Sequence, residues 1–474
     1  MTEVLERPIR IETAPQVRAR AQPRASRSAE ARALIRLAAP LIASQLAQMA
    51  VMTTDVFMLG RYSKTALASA AIGGTIYYAA WVLGAGPPAA VAPMIAQALG
   101  RRSSDRAGVR QAVRMGLWAV ALAAPVLMTF MWFARPLLLA LHQNPVLAAG
   151  AGQFVSMLSF GLPFSIAFMV LRNFATAVER PRATLYVTAA TIGWNALADW
   201  ALIFGHFGAP RLGIIGSGLA TSSSAIFSFA AMLTVVAFDK RLRAFRIFRR
   251  FWRFSTEKLG EVVHLGMPIG MTALFEAMYF NVMTLVVGTF GPDQVAAHQI
   301  AMNVASITFM VPLGIGMAAT VRVGMAAGRD DVAAARLAGT TAIGLGVGFM
   351  AVCGLLLGLF SRQAAGLYFG GAAAVGAGGV LALAALFLKA AAAFQVFDAA
   401  QVIGALSLRG LKDARMPMVL AGGAYWLAGA PTCIFLAYGL GLRGLGVWIG
   451  FVVGLAVAAV LMSWRFARLT RRRG

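Results

Sequence analysis

The sequence predicts an all-α polytopic membrane protein of about 12 transmembrane helices, arranged as two six-helix bundles, and three observations carry that prediction. Of its 474 residues 59% are hydrophobic and only 12% charged, more apolar surface than one soluble core can cover. Apolar runs of helical length recur about twelve times, and a span needs roughly 20 apolar residues. The first half of the chain is repeated in the second. A β-barrel is excluded because barrel spans are short and alternating, whereas these runs are continuous and rich in Ala, Leu and Gly.

Each element follows from composition in turn. Residues 1–36 carry eight Arg and no apolar core, which predicts a disordered basic cytoplasmic tail and excludes a secretory signal. The first bundle, 37–238, takes the runs 37–60, 67–99, 115–140, 147–171, 184–205 and 212–238. Between the bundles, 239–264 is a basic linker. Its Phe245, Phe248, Phe251 and Trp252 recur at helical spacing opposite Arg243, Arg246, Arg249 and Arg253, predicting an amphipathic helix that lies on an anionic leaflet. The second bundle, 265–464, takes the runs 265–290, 295–327, 332–360, 376–407, 416–440 and 444–464, and 465–474 is a basic cytoplasmic tail. The 50 glycines suit close helix packing in lipid.

Residues 37–101 and 265–329 align without a gap at an offset of 228. Pro40 matches Pro268, Gly60 matches Gly288, Gly86 matches Gly314, Gly100 matches Gly328 and Arg101 matches Arg329. Six spans separate the copies, so the halves share an orientation and are related by a pseudo-twofold axis along the membrane normal. Their interface is the natural place for a cavity.

The net charge of +25 raises the question of nucleic acid, and its distribution answers it. Of the 42 Lys and Arg, 35 fall in the termini and the even-numbered loops, 6 in the alternate loops, and Lys389 lies within a span. This is the positive-inside pattern with both termini cytoplasmic, and no nucleic-acid partner is expected.

Four acids lie inside spans: Asp55, Asp199, Glu276 and Asp398, two in each half. Ionisable groups at this depth are expensive and mark ion or proton pathways. Asn195 and Asp199, four residues apart, share a helix face, and Asp55 follows Thr53 and Thr54. Gln401 is close to Asp398 on span 10, and His298 with Gln299 begins span 8. Lys389 and Asp398 are nine residues apart, roughly 900° of helical turn, and so point to opposite faces. Under the repeat Asp55 aligns with Met283, Glu276 with Gln48 and Asp199 with Leu427, so each half carries its own acidic site. A desolvated carboxyl can take up a proton or be neutralised by a hard cation with oxygen ligands. If either event excludes an organic cation, the result is antiport.

An enzyme is not expected. His142, His206, His264 and His298 are isolated, Cys353 and Cys433 form no CxxC, and no Walker A loop is present. No cofactor or resident metal is implied beyond a coupling H⁺ or Na⁺. The expected partners are small organic substrates and the lipid bilayer, with the chain as a monomer. A lipid or lipid-linked precursor flippase is the rival reading, since it would use the same two-bundle cavity for a larger head group.

The motifs "TTDVFMLGR", "NALADWALIFG", "LGMPIGMTALFEAMYF", "VAAHQIAMNV" and "FQVFDAAQVIGALSLRGLKD" together resemble the multidrug and toxic compound extrusion (MATE) family, nearest its bacterial NorM-type branch, over residues 32–465. The resemblance implies a V-shaped cleft between two bundles in the bacterial inner membrane, exporting amphiphilic, often cationic drugs in exchange for H⁺ or Na⁺. Carried over by position, Glu276 and Asp398 would form the cation site of the second half, and Asp55, Asn195, Asp199 and Thr221 that of the first. Tyr279, Phe280, Phe394, His298, Gln299 and Gln401 are candidates for lining the cavity. Some Na⁺-coupled members of the family carry Tyr four residues before the span-10 Asp; here the residue is Phe394, which removes one oxygen contact.

Overall fold

The computed structural model describes residues 26–368 and 378–471. Fifteen helices, α1–α15, account for the fold. They are α1 (Arg27–Tyr62), α2 (Lys64–Arg101), α3 (Arg106–Trp132), a short α4 (Ala134–Ala140), α5 (Pro145–Ala177), α6 (Pro181–Phe204) and α7 (Ile214–Phe238). After α8 (Lys240–Arg243) come α9 (Thr256–Gly288), α10 (Pro292–Gly328), α11 (Val332–Leu359), a short α12 (Ser361–Gly366) and α13 (Gly378–Gly410). The chain ends with α14 (Arg415–Gly439) and α15 (Arg443–Leu469). Twelve of these are long and apolar enough to cross a membrane, making the chain a multi-pass membrane protein.

Helix starts follow local chemistry. Ser26 accepts from the Ala29 amide and Ser255 from the Lys258 amide, while Asp105 and Asp331 cap the third span of each half. Pro145, Pro181 and Pro292 sit in the first turn of their helices, where the missing N–H costs nothing. Within α14 the hydrogen-bond register loosens to π-type turns over Ala424–Gly429 and Phe435–Gly439, on either side of Pro431.

Several boundaries differ from expectation. Helix α1 starts at Arg27, inside the segment expected to be a disordered tail, because Ser26 caps it and Glu30 in its first turn is tied to Arg322 of α10. The remainder of that tail, 1–25, lies outside the described residues. At the other end α15 runs to Leu469 instead of stopping at 464. The apolar run 115–140 divides into α3 and α4 at Phe133.

The repeat seen in the sequence is also geometric. Pro40 and Pro268 lie at matching points in α1 and α9, and the hydroxyl four residues on, Ser44 or Thr272, donates to the prolyl carbonyl at 2.9 and 2.8 Å. Contacts between the bundles obey the same operation. Gly86 approaches Gly266 and Gly270, and its equivalent Gly314 approaches Ile42, the equivalent of Gly270. Gly100 rests against Met325 and Gly328, while Gly328 rests against Gln97, the equivalent of Met325. Such reciprocal contacts are what a twofold axis requires, and here the axis passes where Gly100 meets Gly328.

These contacts all lie towards one end. They use the first half of α1 and α9 and the second half of α2 and α10, joined by an apolar cluster of Leu34, Leu37, Ala38 and Leu41 with Ile315, Ala318 and Val321. Gln97 donates to the Gly410 carbonyl at 2.9 Å, and Arg322 grips Glu30 through two bonds of 2.9 and 2.6 Å with Glu179 nearby at 3.7 Å. The bundles therefore meet at the face that carries the termini and diverge towards the other. A Cβ on Gly100 would meet backbone, which cannot step aside. Gly100→Val is expected to lower the thermal stability of the purified protein, by an overpacking cost of roughly 1–3 kcal/mol, with no such loss for Val at Gly288, where nothing lies within 4 Å.

The linker is not the long amphipathic helix its sequence predicts. Residues 256–264 are already the first turns of α9, so the second bundle starts before 265; ahead of them only Lys240–Arg243 is helical, and the chain then turns repeatedly to Trp252, with Arg246 and Arg250 at positive φ. Tertiary packing overrides the helical spacing: Leu242 and Ile247 are buried, Phe245 packs edge-on to Phe174, and Phe251 stacks on Trp118. The linker is folded against the first bundle.

Candidate functional site

In the first bundle the acids converge. Helix α1 brings Asp55 opposite α7, whose Thr221 hydroxyl donates to the Asp55 carboxylate at 3.1 Å. Helix α6 presents Asn195 and Asp199, one turn apart, on the same side, beside the Asp55 carboxyl. Both are fully buried. The Asn195 amide, both Asp199 oxygens and one Asp55 oxygen lack a hydrogen-bond partner, as does the buried Ser217 hydroxyl one turn before Thr221. Unpaired buried polar atoms cost roughly 1–3 kcal/mol each, and two adjacent carboxylates cannot both stay ionised without a proton or cation between them. The donor set is all oxygen apart from the amide nitrogen, which suits H⁺ or a hard monovalent cation. Thr53 and Thr54 take no part: their hydroxyls bond back to Met49 and Ala50 of their own helix.

In the second bundle Asp398 is buried on α13 and Glu276 half-buried on α9, each within electrostatic reach of the other. Around them the structure adds groups that sequence reasoning missed. Arg409 of α13 shares the field of Glu276, and Tyr425 of α14 shares that of both acids. Gln395, Gln401 and Tyr425 carry buried side-chain atoms without partners, as does one Asp398 oxygen. Phe394 offers no oxygen, yet the Tyr425 hydroxyl enters the same neighbourhood from another helix. Lys389 is exposed on the opposite face of α13.

A second arginine is buried in the first bundle. Arg172 of α5 donates to the Gln45 and Gln48 side chains of α1 at 3.2 and 3.3 Å. Gln48 is the equivalent of Glu276, so each half directs an arginine from its fourth span towards the same position of its first. Both arginines sit where an apolar run ends, and charge counting assigned them to loops.

With both sites placed, the decisive comparison is the family model for MatE, which matches residues 40–201 and 268–435, one copy in each half. The chain belongs to the MatE family. It is 44% identical over 441 residues to the probable multidrug resistance protein NorM of Rhizobium meliloti, covering 93% of this chain and 94% of that one. The same-named protein of Brucella suis is 40% identical over 434 residues, covering 92% of each. Among solved structures, an outward-facing multidrug resistance MATE family transporter of the MOP superfamily matches with a TM-score of 0.83 at 20% identity, covering 93% of this chain and 96% of that one. This last likeness shows the two-bundle fold, and the first two show a NorM-type member.

In this MatE chain several residues expected to line the cleft face the interior of the second bundle instead. Tyr279 is fully buried, stacked on Tyr425 with centroids 5.4 Å apart, and its hydroxyl donates to the Gly450 carbonyl at 3.3 Å. Phe394 is enclosed by Phe280, Trp448 and Phe451. His298 bonds Thr284 through Nε2 at 3.0 Å and packs against Trp448, and Gln401 is buried. One helical step of about 100° separates neighbours, so His298 is buried while Gln299 is exposed. Phe280 remains half-buried.

Proposed function

We infer that this protein is a secondary antiporter that exports amphiphilic, often cationic organic compounds, in exchange for H⁺ or Na⁺, from a cytoplasm that its terminal face contacts. The observation that carries the reading is the juxtaposition of Asp55 with Asp199 in one buried site of the first bundle. A site that must hold a proton or cation, beside a cleft between two rocking bundles, can couple ion entry to substrate release. The names of the NorM relatives support a multidrug substrate range. We place the chain in the bacterial inner membrane with both termini inside, an orientation that the distribution of Lys and Arg supports. The bundles meet at the terminal face, which corresponds to a cleft open to the outside.

The test is accumulation of a cationic dye in inside-out vesicles under an imposed proton gradient and, separately, an imposed Na⁺ gradient. At least one gradient is expected to drive accumulation, and Asp55→Asn is expected to reduce it by roughly tenfold or more at equal membrane expression. Failure of both gradients, with a labelled lipid crossing instead, would replace antiport by the flippase reading.

A further inference from the structure

The folded linker walls a cavity whose lining includes none of Asp55, Asp199, Glu276 and Asp398. It has a volume of about 400 Å³ and is lined by Arg110 and Arg114 of α3, Arg249, Arg250 and Arg253 of the linker, and Gln111. Five arginines line it, and among the described residues none of them pairs with a carboxylate. The neighbouring cavity makes the contrast: its Lys258 and Lys412 both pair with Glu261, at 3.0 and 2.6 Å.

Arg114 sharpens the point. It is only 7% exposed, it donates to the Arg250 carbonyl, and its Nε has no partner. Like charges gathered around a buried, incompletely bonded guanidinium repel one another unless an anion joins them. Guanidinium forks match phosphate oxygens in geometry as well as charge.

What surrounds the cavity selects the source of the phosphate. Trp118 anchors a ring cluster with Phe251, Trp252 and Phe254 beside it, and Trp252 is 81%, Phe254 47% and Phe248 42% exposed. Arginine next to exposed aromatic rings is the layering of a protein at the head-group level of a bilayer. A free phosphate gains nothing from those rings, whereas a lipid places its phosphodiester among the arginines and its upper chains against the aromatics.

We propose that this cavity is a binding site for the phosphodiester head group of an anionic phospholipid in the leaflet at the terminal face. Held there, the lipid joins α3 to the linker through Arg110 and Arg114 on one side and Arg249 and Arg253 on the other.

Native mass spectrometry of the full chain, titrated with dioleoyl phosphatidylglycerol or with dioleoyl phosphatidylcholine, tests the proposal. Wild type is expected to retain phosphatidylglycerol in preference to phosphatidylcholine, with tenfold weaker retention in Arg114→Gln. The double variant Arg249→Gln/Arg253→Gln alters only exposed side chains, keeps the fold, and is expected to show the same loss. Arg336→Gln on α11, the same single charge change as Arg114→Gln, should bind as wild type does. Equal retention by all variants would remove these arginines from lipid binding, and equal loss in Arg336→Gln would reduce the effect to net charge; either overturns the site. Displacement of the lipid by millimolar inorganic phosphate, with no preference between the two lipids, would assign the arginines to a soluble anion and overturn the lipid.

Discussion

Asp398→Asn is expected to abolish most drug export, by roughly tenfold or more, while the protein reaches the membrane at its normal level. The substitution preserves shape, so the packing around α13 survives, and only the ability to carry a proton or charge is lost. Asp398 is 4% exposed with one oxygen unpartnered, so a neutral amide meets no steric objection there. Glu276→Gln, acting on the half-buried partner, should give a smaller loss. The measurement is dye export from intact cells together with immunoblotting of membranes. Full export by Asp398→Asn would make that carboxyl structural and leave coupling to the Asp55 and Asp199 site.

The second large effect is expected at the seal. Reversing either charge of the Glu30–Arg322 pair breaks two charge-assisted hydrogen bonds, each net worth roughly 1.5–3 kcal/mol, between a buried carboxylate and an arginine 26% exposed. Partial exposure places the effect near the lower value. About 1.4 kcal/mol is already tenfold in an opening equilibrium. With Cys353→Ser as background, a cysteine reporter at Ala318, fully buried between the bundles, should react with a thiol reagent about tenfold faster in Glu30→Arg or Arg322→Glu. The double exchange should restore slow labelling, because the pair reforms with its polarity reversed. Equal labelling of all variants would remove the pair from the seal.

How much of this was legible beforehand depended on whether a feature was local. The spans were visible because a helix in lipid must be continuously apolar, and the offset of 228 brought the two halves into register through prolines and glycines that now mark real contacts. Asn195 and Asp199 were placed together by one turn of helix, and Lys389 was separated from Asp398 by two and a half. Features that depend on a neighbouring helix were hidden. Arg172 and Arg409 look like loop charges because each lies at the end of an apolar run, and only Gln48 and Glu276 on other helices explain them. Tyr425, 27 positions on from Asp398, had no signal that could connect it to the acid. Tyr279 and Phe280 were indistinguishable as adjacent aromatics, since sequence does not say which way a helix is rotated. The linker misled for the opposite reason: its helical spacing was genuine, but Phe245 and Phe251 gain more by packing against Phe174 and Trp118.

That docking leaves very little tether. Seventeen residues separate α7 from α9, a length suggesting a slack strap. Phe254, however, still packs edge-on to Trp118, with centroids 5.8 Å apart, and α9 begins at Thr256 after the capping Ser255. One residue lies between the last ring held by the first bundle and the first turn of the second. The two halves are thus joined at a point, beside the face where they already touch, and any swing between them must pivot there like a pair of tongs.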